Sequence, residues 1–173
     1  MLKLIEFNES NLYFKKLMNE DCDTMSYNAG YDLDFPGYDK QTGAIYKSDS
    51  DYLVWLQKWQ GKSDRAVYII VRESDNEFIG EVCYHTDNTP SGYDLGIVLL
   101  HKYRGQGYSK QAMQLLLEKI KQRGITKVNH TVPSSRHSAI KCDLACGFTV
   151  VGQTQTIKFN AVEQVTILEK TLF

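Results

Sequence analysis

The run "KYRGQGYSKQ", residues 102–111, places Gly105 and Gly107 between a basic approach and the first turn of a helical pattern. Glycine at a strand-to-helix junction lets the backbone turn tightly and leaves the first amide N–H groups of the helix unpaired, which makes an anion site. A phosphate or pyrophosphate is the natural ligand of such a turn. Two familiar phosphate motifs do not fit. The G-x-x-x-x-G-K-[ST] loop is absent, and G-x-G-x-x-G fails because Lys110 stands at its third glycine.

Two carboxylates lie in strand-like runs, Glu81 in "IGEVCYH" and Asp94 in "YDLGI". Either can take a proton from a nucleophile, which is general-base chemistry, and strand alternation puts Asp94, Gly96 and Val98 on one face. A solvated or salt-bridged strand acid is the plain alternative for each. His85 and His130 titrate near neutrality when unperturbed, but a lone strand histidine is more often a hydrogen-bonded structural residue. Between Lys16 and Lys40 there is no basic residue. Glu20, Asp21, Asp23, Asp32, Asp34 and Asp39 are interleaved there with Tyr27, Tyr31, Phe35 and Tyr38. Carboxylates and aromatic faces both attract an ammonium group, the latter by about 0.5–2 kcal/mol. The expectation is a site for a cationic substrate built on Tyr31, Asp32, Asp34 and Tyr38; a solvated acidic loop with its aromatics packed inward has the same composition.

The elements that would position these groups follow from the periodicities. "LKLIEF" reads as a strand and "ESNLYFKKLM" as a helix starting near Glu9 or Ser10. Residues 19–41 show no steady period, which marks a functional loop. "SDSDYLVWLQKW" reads as a helix capped by Ser48 or Ser50. "RAVYIIVRE", "EFIGEVCYH" and "YDLGIVLL" form an antiparallel meander, with turn text "SDN" and "TDNTPSG" between them. A helix then carries an apolar stripe at residues 108, 112, 115, 116 and 120 and ends at Gly124. "TKVNHTV" completes a strand, helix, strand crossover; residues 135–145 give a helix ended by Gly147, and two strands close the chain.

The chain has 173 residues, 42% hydrophobic and 24% charged, with a net charge of −1 and a pI near 6.4. These values suit one folded domain and lack the basic excess of a nucleic-acid binder. No stretch approaches the ~20 apolar residues of a membrane span, and the N-terminus has no signal-peptide core, so a cytoplasmic location is expected. Cys22, Cys83, Cys142 and Cys146 form no C-x-x-C pair and have no histidine at zinc-finger spacing, so reduced thiols and no metal are expected.

Arg104-Gly105-Gln106-Gly107-Tyr108-Ser109 resembles the R/Q-x-x-G-x-G/A signature of the GNAT superfamily of acyl-CoA-dependent N-acetyltransferases, with Ser in the sixth place. "VPSSRHSAIKCDLACGF" is similar to a second family segment: Val132, Ala139, Ile140, Gly147 and Phe148 fall in register. Arg136 stands where that segment carries Asn, and Asp143 where it carries Tyr. The resemblance implies an α+β fold, a mostly antiparallel sheet of about six or seven strands flanked by about four helices. It implies one domain over residues 1–173: an acceptor-side segment over 1–64, an acetyl-CoA-binding core over 65–150 and closing strands over 148–173. Acetyl-CoA would lay its pyrophosphate on the amides of residues 104–109, with Arg136 and Ala139 adjoining. Lys102 and Lys110 would add long-range attraction. The amides of Ile97, Val98 and Leu99 would hold the pantetheine arm and stabilise charge on the thioester oxygen. Asp94 or Glu81 would serve as base. The family's Tyr is commonly the proton donor to the thiolate, a role that Asp143 does not inherit. The expected function is acetyl transfer to a primary amine of a small cationic molecule or peptide. The rival is a non-catalytic acyl-CoA-binding module, and a homodimer through the terminal strands is a further expectation.

Overall fold

A computed structural model describes residues 1–86 and 92–173; most of the expected turn at 86–92 lies outside the described residues. Among these residues seven strands form one sheet: β1 (Leu2–Glu6), β2 (Ala66–Arg72), β3 (Glu77–His85), β4 (Asp94–Leu99), β5 (Lys127–Pro133), β6 (Thr149–Lys158) and β7 (Ala161–Thr171). Their order is β1-β2-β3-β4-β5-β7-β6. Every neighbouring pair is antiparallel except β4 and β5, whose parallel pairing follows from the helical crossover between them. The α+β architecture expected from the sequence is what the chain adopts.

The apolar pattern of each strand reports its place. β2, "AVYIIVR", is buried at six successive positions because helices cover both of its faces. β6 is mostly exposed, as an outer strand paired along its length with β7 and bridged at Lys158 to Tyr31.

Among the described residues five α-helices flank the sheet: α1 (Tyr13–Glu20), α2 (Cys22–Met25), α3 (Asp49–Trp59), α4 (Tyr108–Gln122) and α5 (His137–Ala145). Helix α4 buries Ala112, Met113, Leu116, Leu117 and Ile120 and ends at Gly124, whose φ of +78° suits glycine. Of the two serines proposed to cap α3, Ser48 does so, its Oγ accepting from the Asp51 amide at 3.2 Å.

Two expectations need correction. Helix α1 begins at Tyr13, not near Glu9 or Ser10. Asn8 Oδ1 accepts from the amides of Ser10 (2.9 Å) and Asn11 (3.1 Å), while Asn11 Oδ1 accepts from the Asn8 amide (2.8 Å). These side-chain bonds hold residues 8–11 as a turn in competition with the helix. The second concerns residues 19–41, read as a loop, which hold two short helical turns. Asp21 caps the single turn of α2, accepting from the Asp23 amide at 3.1 Å, and a 3-10 turn follows over Ser26–Asn28.

Candidate active site

Strands β4 and β5 are hydrogen-bonded at one register position only, Asp94 opposite Asn129. Beyond it the strands part. The Leu100 amide donates to Ile79 O on the β3 side. By alternation the amides of Val98 and Gly96 also face β3, and those of Ile97 and Leu99 face the gap.

At the head of that gap, Gly105 and Gly107 have φ of +73° and +83°, and a Cβ on either would meet nothing within 4 Å. No side chain caps α4, whose N-cap is Gly107 itself. An open, left-handed turn ahead of uncapped helix amides is a fit cradle for a pyrophosphate. The side chains nearby are partly committed. Arg104 donates from Nη2 to Thr24 O (2.6 Å) and from Nε to Leu99 O (3.2 Å), tying α2 to the end of β4. Gln106 Nε2 donates to Lys102 O at 2.9 Å, and Tyr108 Oη accepts from Arg72 at 3.2 Å. Arg136, just ahead of α5, is exposed and stacks on the Tyr27 ring at 5.1 Å, with Ala139 half-buried one turn on.

The sheet register sorts the remaining groups by face. Glu81 lies opposite Val98, Cys83 opposite Gly96 and His85 opposite Asp94, so all six share one face, joined by Asn129 beside Asp94. Helices α1 and α3 cover it: Lys15 Nζ reaches Glu81 Oε1 at 2.7 Å, and Trp59 meets the His85 ring edge-on. Glu81 Oε2, Asp94 Oδ1 and Asn129 Oδ1 are buried there with no hydrogen-bond partner among the described residues. Buried acceptors of this kind call for a donor from water or substrate. Tyr27 stands between the carboxylates and the arginines. Burial, then the Glu81 charge and Cys83, push its phenol well above the ordinary range, while Arg136 and Arg104 oppose, so it stays protonated. Burial also drives the Cys83 thiol up to about 12, which removes it as a nucleophile.

His130 lies on the opposite face, buried, with Nδ1 at 2.8 Å from Asp143 Oδ2 of α5. Asp143 is thus turned into the protein as the partner of His130.

The acidic loop does not converge on these groups. The Asp32 side chain is 92% exposed and 3.8 Å from Lys40, and Asp34 is exposed. Tyr31 hydrogen-bonds Glu163, and Tyr38 Oη donates to the carbonyls of Asn28 (2.6 Å) and Tyr31 (3.1 Å). These tyrosines brace the loop against β7 and against itself. What borders the Glu81 side is a cavity of about 220 Å³ lined by Lys15, Tyr27, Leu33, Phe35, Lys47 and Trp55 among others. Sequence reading missed Lys15, Lys47, Trp55 and Asn129. Of these only Asn129 had a local signal, as the polar neighbour of His130 in an apolar strand.

The chain matches the model of the family described as Acetyltransferase (GNAT) family over residues 30–148 and belongs to that family. It is structurally similar to the spermidine N-acetyltransferase of Vibrio cholerae in complex with CoA and spermine, at TM-score 0.77 and 16% identity over 98% of this chain and 95% of that one. It is also similar to a putative acetyltransferase of Salmonella typhimurium with its cofactor acetyl-CoA, at TM-score 0.77 and 12% identity over 100% and 95%. A GNAT-family acetyltransferase of Streptococcus pneumoniae gives TM-score 0.73 and 16% identity over 99% and 100%. No curated protein shows significant sequence similarity to the chain. The protein is a GNAT-family acetyltransferase.

Proposed function

We propose that the protein moves the acetyl group of acetyl-CoA onto a primary amine by direct attack of the neutral amine on the thioester. The N–C bond forms as the C–S bond breaks; the amine's surplus proton passes to the protein or its water, and the thiolate takes one from solvent. Acetyl-CoA, when bound, supplies the activated acetyl carbon and the thiolate leaving group.

The chain's own residues divide the rest. The amides over residues 105–109 hold the pyrophosphate, assisted by Arg104 and Arg136, while Ala139 adjoins it. Ile97 and Leu99 direct their amides into the gap, for the pantetheine arm and the charge that grows on the acyl oxygen. Glu81 is the base. An alkylamine with a pKa near 10.4 is mostly protonated at neutral pH, so a buried acceptor must receive its proton, directly or through water. Lys15 occupies Glu81 Oε1 and leaves Oε2 for that task. Asp94 Oδ1 and Asn129 Oδ1, orphaned on the same face four residues along β4 from the Glu81 level, are further buried acceptors for water or a distal part of the acceptor. The observation that carries this reading is the buried, partnerless Glu81 Oε2 on the face that opens at the β4/β5 gap. At fold level, the acetyl-CoA and spermine complexes of the structural neighbours support both the donor and an amine acceptor.

The test is release of free thiol from acetyl-CoA with a panel of amines, comparing wild type with Glu81→Gln. Loss of about 10²–10³ in kcat with unchanged affinity for CoA is expected of a lost base. An unchanged kcat would sink the assignment of Glu81.

A further inference from the structure

We propose that the acceptor amine carries a carboxylate on an apolar body, so that the site takes an amino-acid-like molecule and discriminates against polyamines. This rests on the acetyl-transfer reading and names the class of acceptor for that same site.

The cavity beside Glu81 is lined by two lysines and no acid among the described residues. Lys15 is matched by Glu81. Lys47 is not matched: its Nζ lies 5.9 Å over the Phe35 ring, and no carboxylate of the described residues is within ion-pair distance of it. Burial, then the charges of Lys15 and Lys58, lowers the Lys47 pKa, with Asp51 opposing. A half-buried ammonium crowded by other ammonium groups is a ready partner for an anion. The same crowding repels a second cation, so an acceptor with several ammonium groups would place like charges together.

The two ends of the site are complementary to a zwitterion. Lys15, which lines the cavity, leads to Glu81 and its unpartnered Oε2 for the amine, Lys47 stands for the carboxylate, and Tyr27, Leu33, Phe35 and Trp55 offer apolar walls. A volume near 220 Å³ suits a small molecule, below the range of about 300–1,000 Å³ typical of drug-sized ligands. The six carboxylates of the neighbouring loop segment, which would favour a polycation, line none of this cavity.

The experiment is thiol release from acetyl-CoA with each common amino acid beside its own C-terminal amide, and with spermidine. The amide keeps the side chain and lacks the carboxylate, and kcat/KM is compared per neutral amine because loss of that charge also lowers the amine's pKa. The expected result is a kcat/KM preference of about tenfold or more for the best amino acid over its amide. That preference shrinks towards unity in Lys47→Gln and survives in Lys47→Arg. Faster turnover of the amides or of spermidine overturns this proposal and leaves acetyl transfer standing. A preference for the acid that persists unchanged in Lys47→Gln overturns the assignment to Lys47. No thiol release with any acceptor overturns both readings.

Discussion

The two halves of the site are built from different materials. On the proposed cofactor side the candidate donors are backbone amides, set out by two left-handed glycines, an uncapped helix and a strand that has lost its neighbour. On the proposed acceptor side, side chains from α1, α2, α3 and the segment between α2 and α3 converge on a cavity, with Lys15 linking it to Glu81 of β3. A backbone-built site recognises a group that does not change, such as a pyrophosphate, and needs little from residue identity beyond glycine. A side-chain-built site is retuned by single substitutions, and its charge decides which amine enters.

The sharpest way to break this contrast is on the cofactor side. Gly107→Val adds a β-branched side chain at a φ of +83°, a strained conformation, and fills open space above the α4 amides. CoA affinity by calorimetry is expected to fall about 100-fold, the combined effect of a few kcal/mol of strain and lost amide contacts. Retained affinity would show that the turn does not hold the cofactor.

A smaller effect is expected from pH on the acceptor side. Because burial with Lys15 and Lys58 outweighs Asp51, Lys47 loses its proton at a lower pH than an exposed lysine. As pH rises through that lowered value, KM for a carboxylate-bearing acceptor should climb while KM for the matching amide does not. The stability linkage has the opposite sign. Between the lowered native value and the ordinary 10.5 the unfolded chain binds more protons at this group, so its contribution favours folding increasingly as pH rises. A parallel climb for acid and amide would assign the pH effect to another group.

The smallest effect is expected where the acids are most numerous. The double change Asp32→Asn/Asp34→Asn removes two exposed charges and should alter KM less than twofold, since exposed charges are screened and contribute about 0–1 kcal/mol. A several-fold rise in KM for amines would restore the loop carboxylates as the acceptor site.

The same division explains what was legible before the structure. Gly105 and Gly107, the stripe of α4, and Gly124 and Gly147 at two helix ends are local signals, because a turn or a cap is decided within a few residues. The meander and the crossover followed from strand patterns in order. Arg104 was legible as part of the glycine signature but not as the tie from Thr24 O to Leu99 O, because its two partners lie 80 and 5 residues away. The start of α1 was misplaced because Asn8 and Asn11 close a turn through side-chain bonds that periodicity does not register. The 19–41 segment was read by composition. Charges that crowd a stretch of chain need not meet in space, and three of these six carboxylates, Asp23, Asp32 and Asp34, are exposed.

By itself the sequence determined the class of fold, the glycine turn ahead of an uncapped helix and the two carboxylates worth testing, because each depends on short-range geometry or on strand alternation. The tertiary structure alone decided that β4 and β5 part after Asp94, that Asp143 turns inward to His130, and that Lys15, Lys47 and Trp55 close on one cavity. Lys15 and Glu81 are 66 residues apart, and only packing of α1 over the sheet brings them to 2.7 Å. The charge of the proposed acceptor site is therefore set by long-range contacts rather than by the acidity of the chain segment that surrounds it.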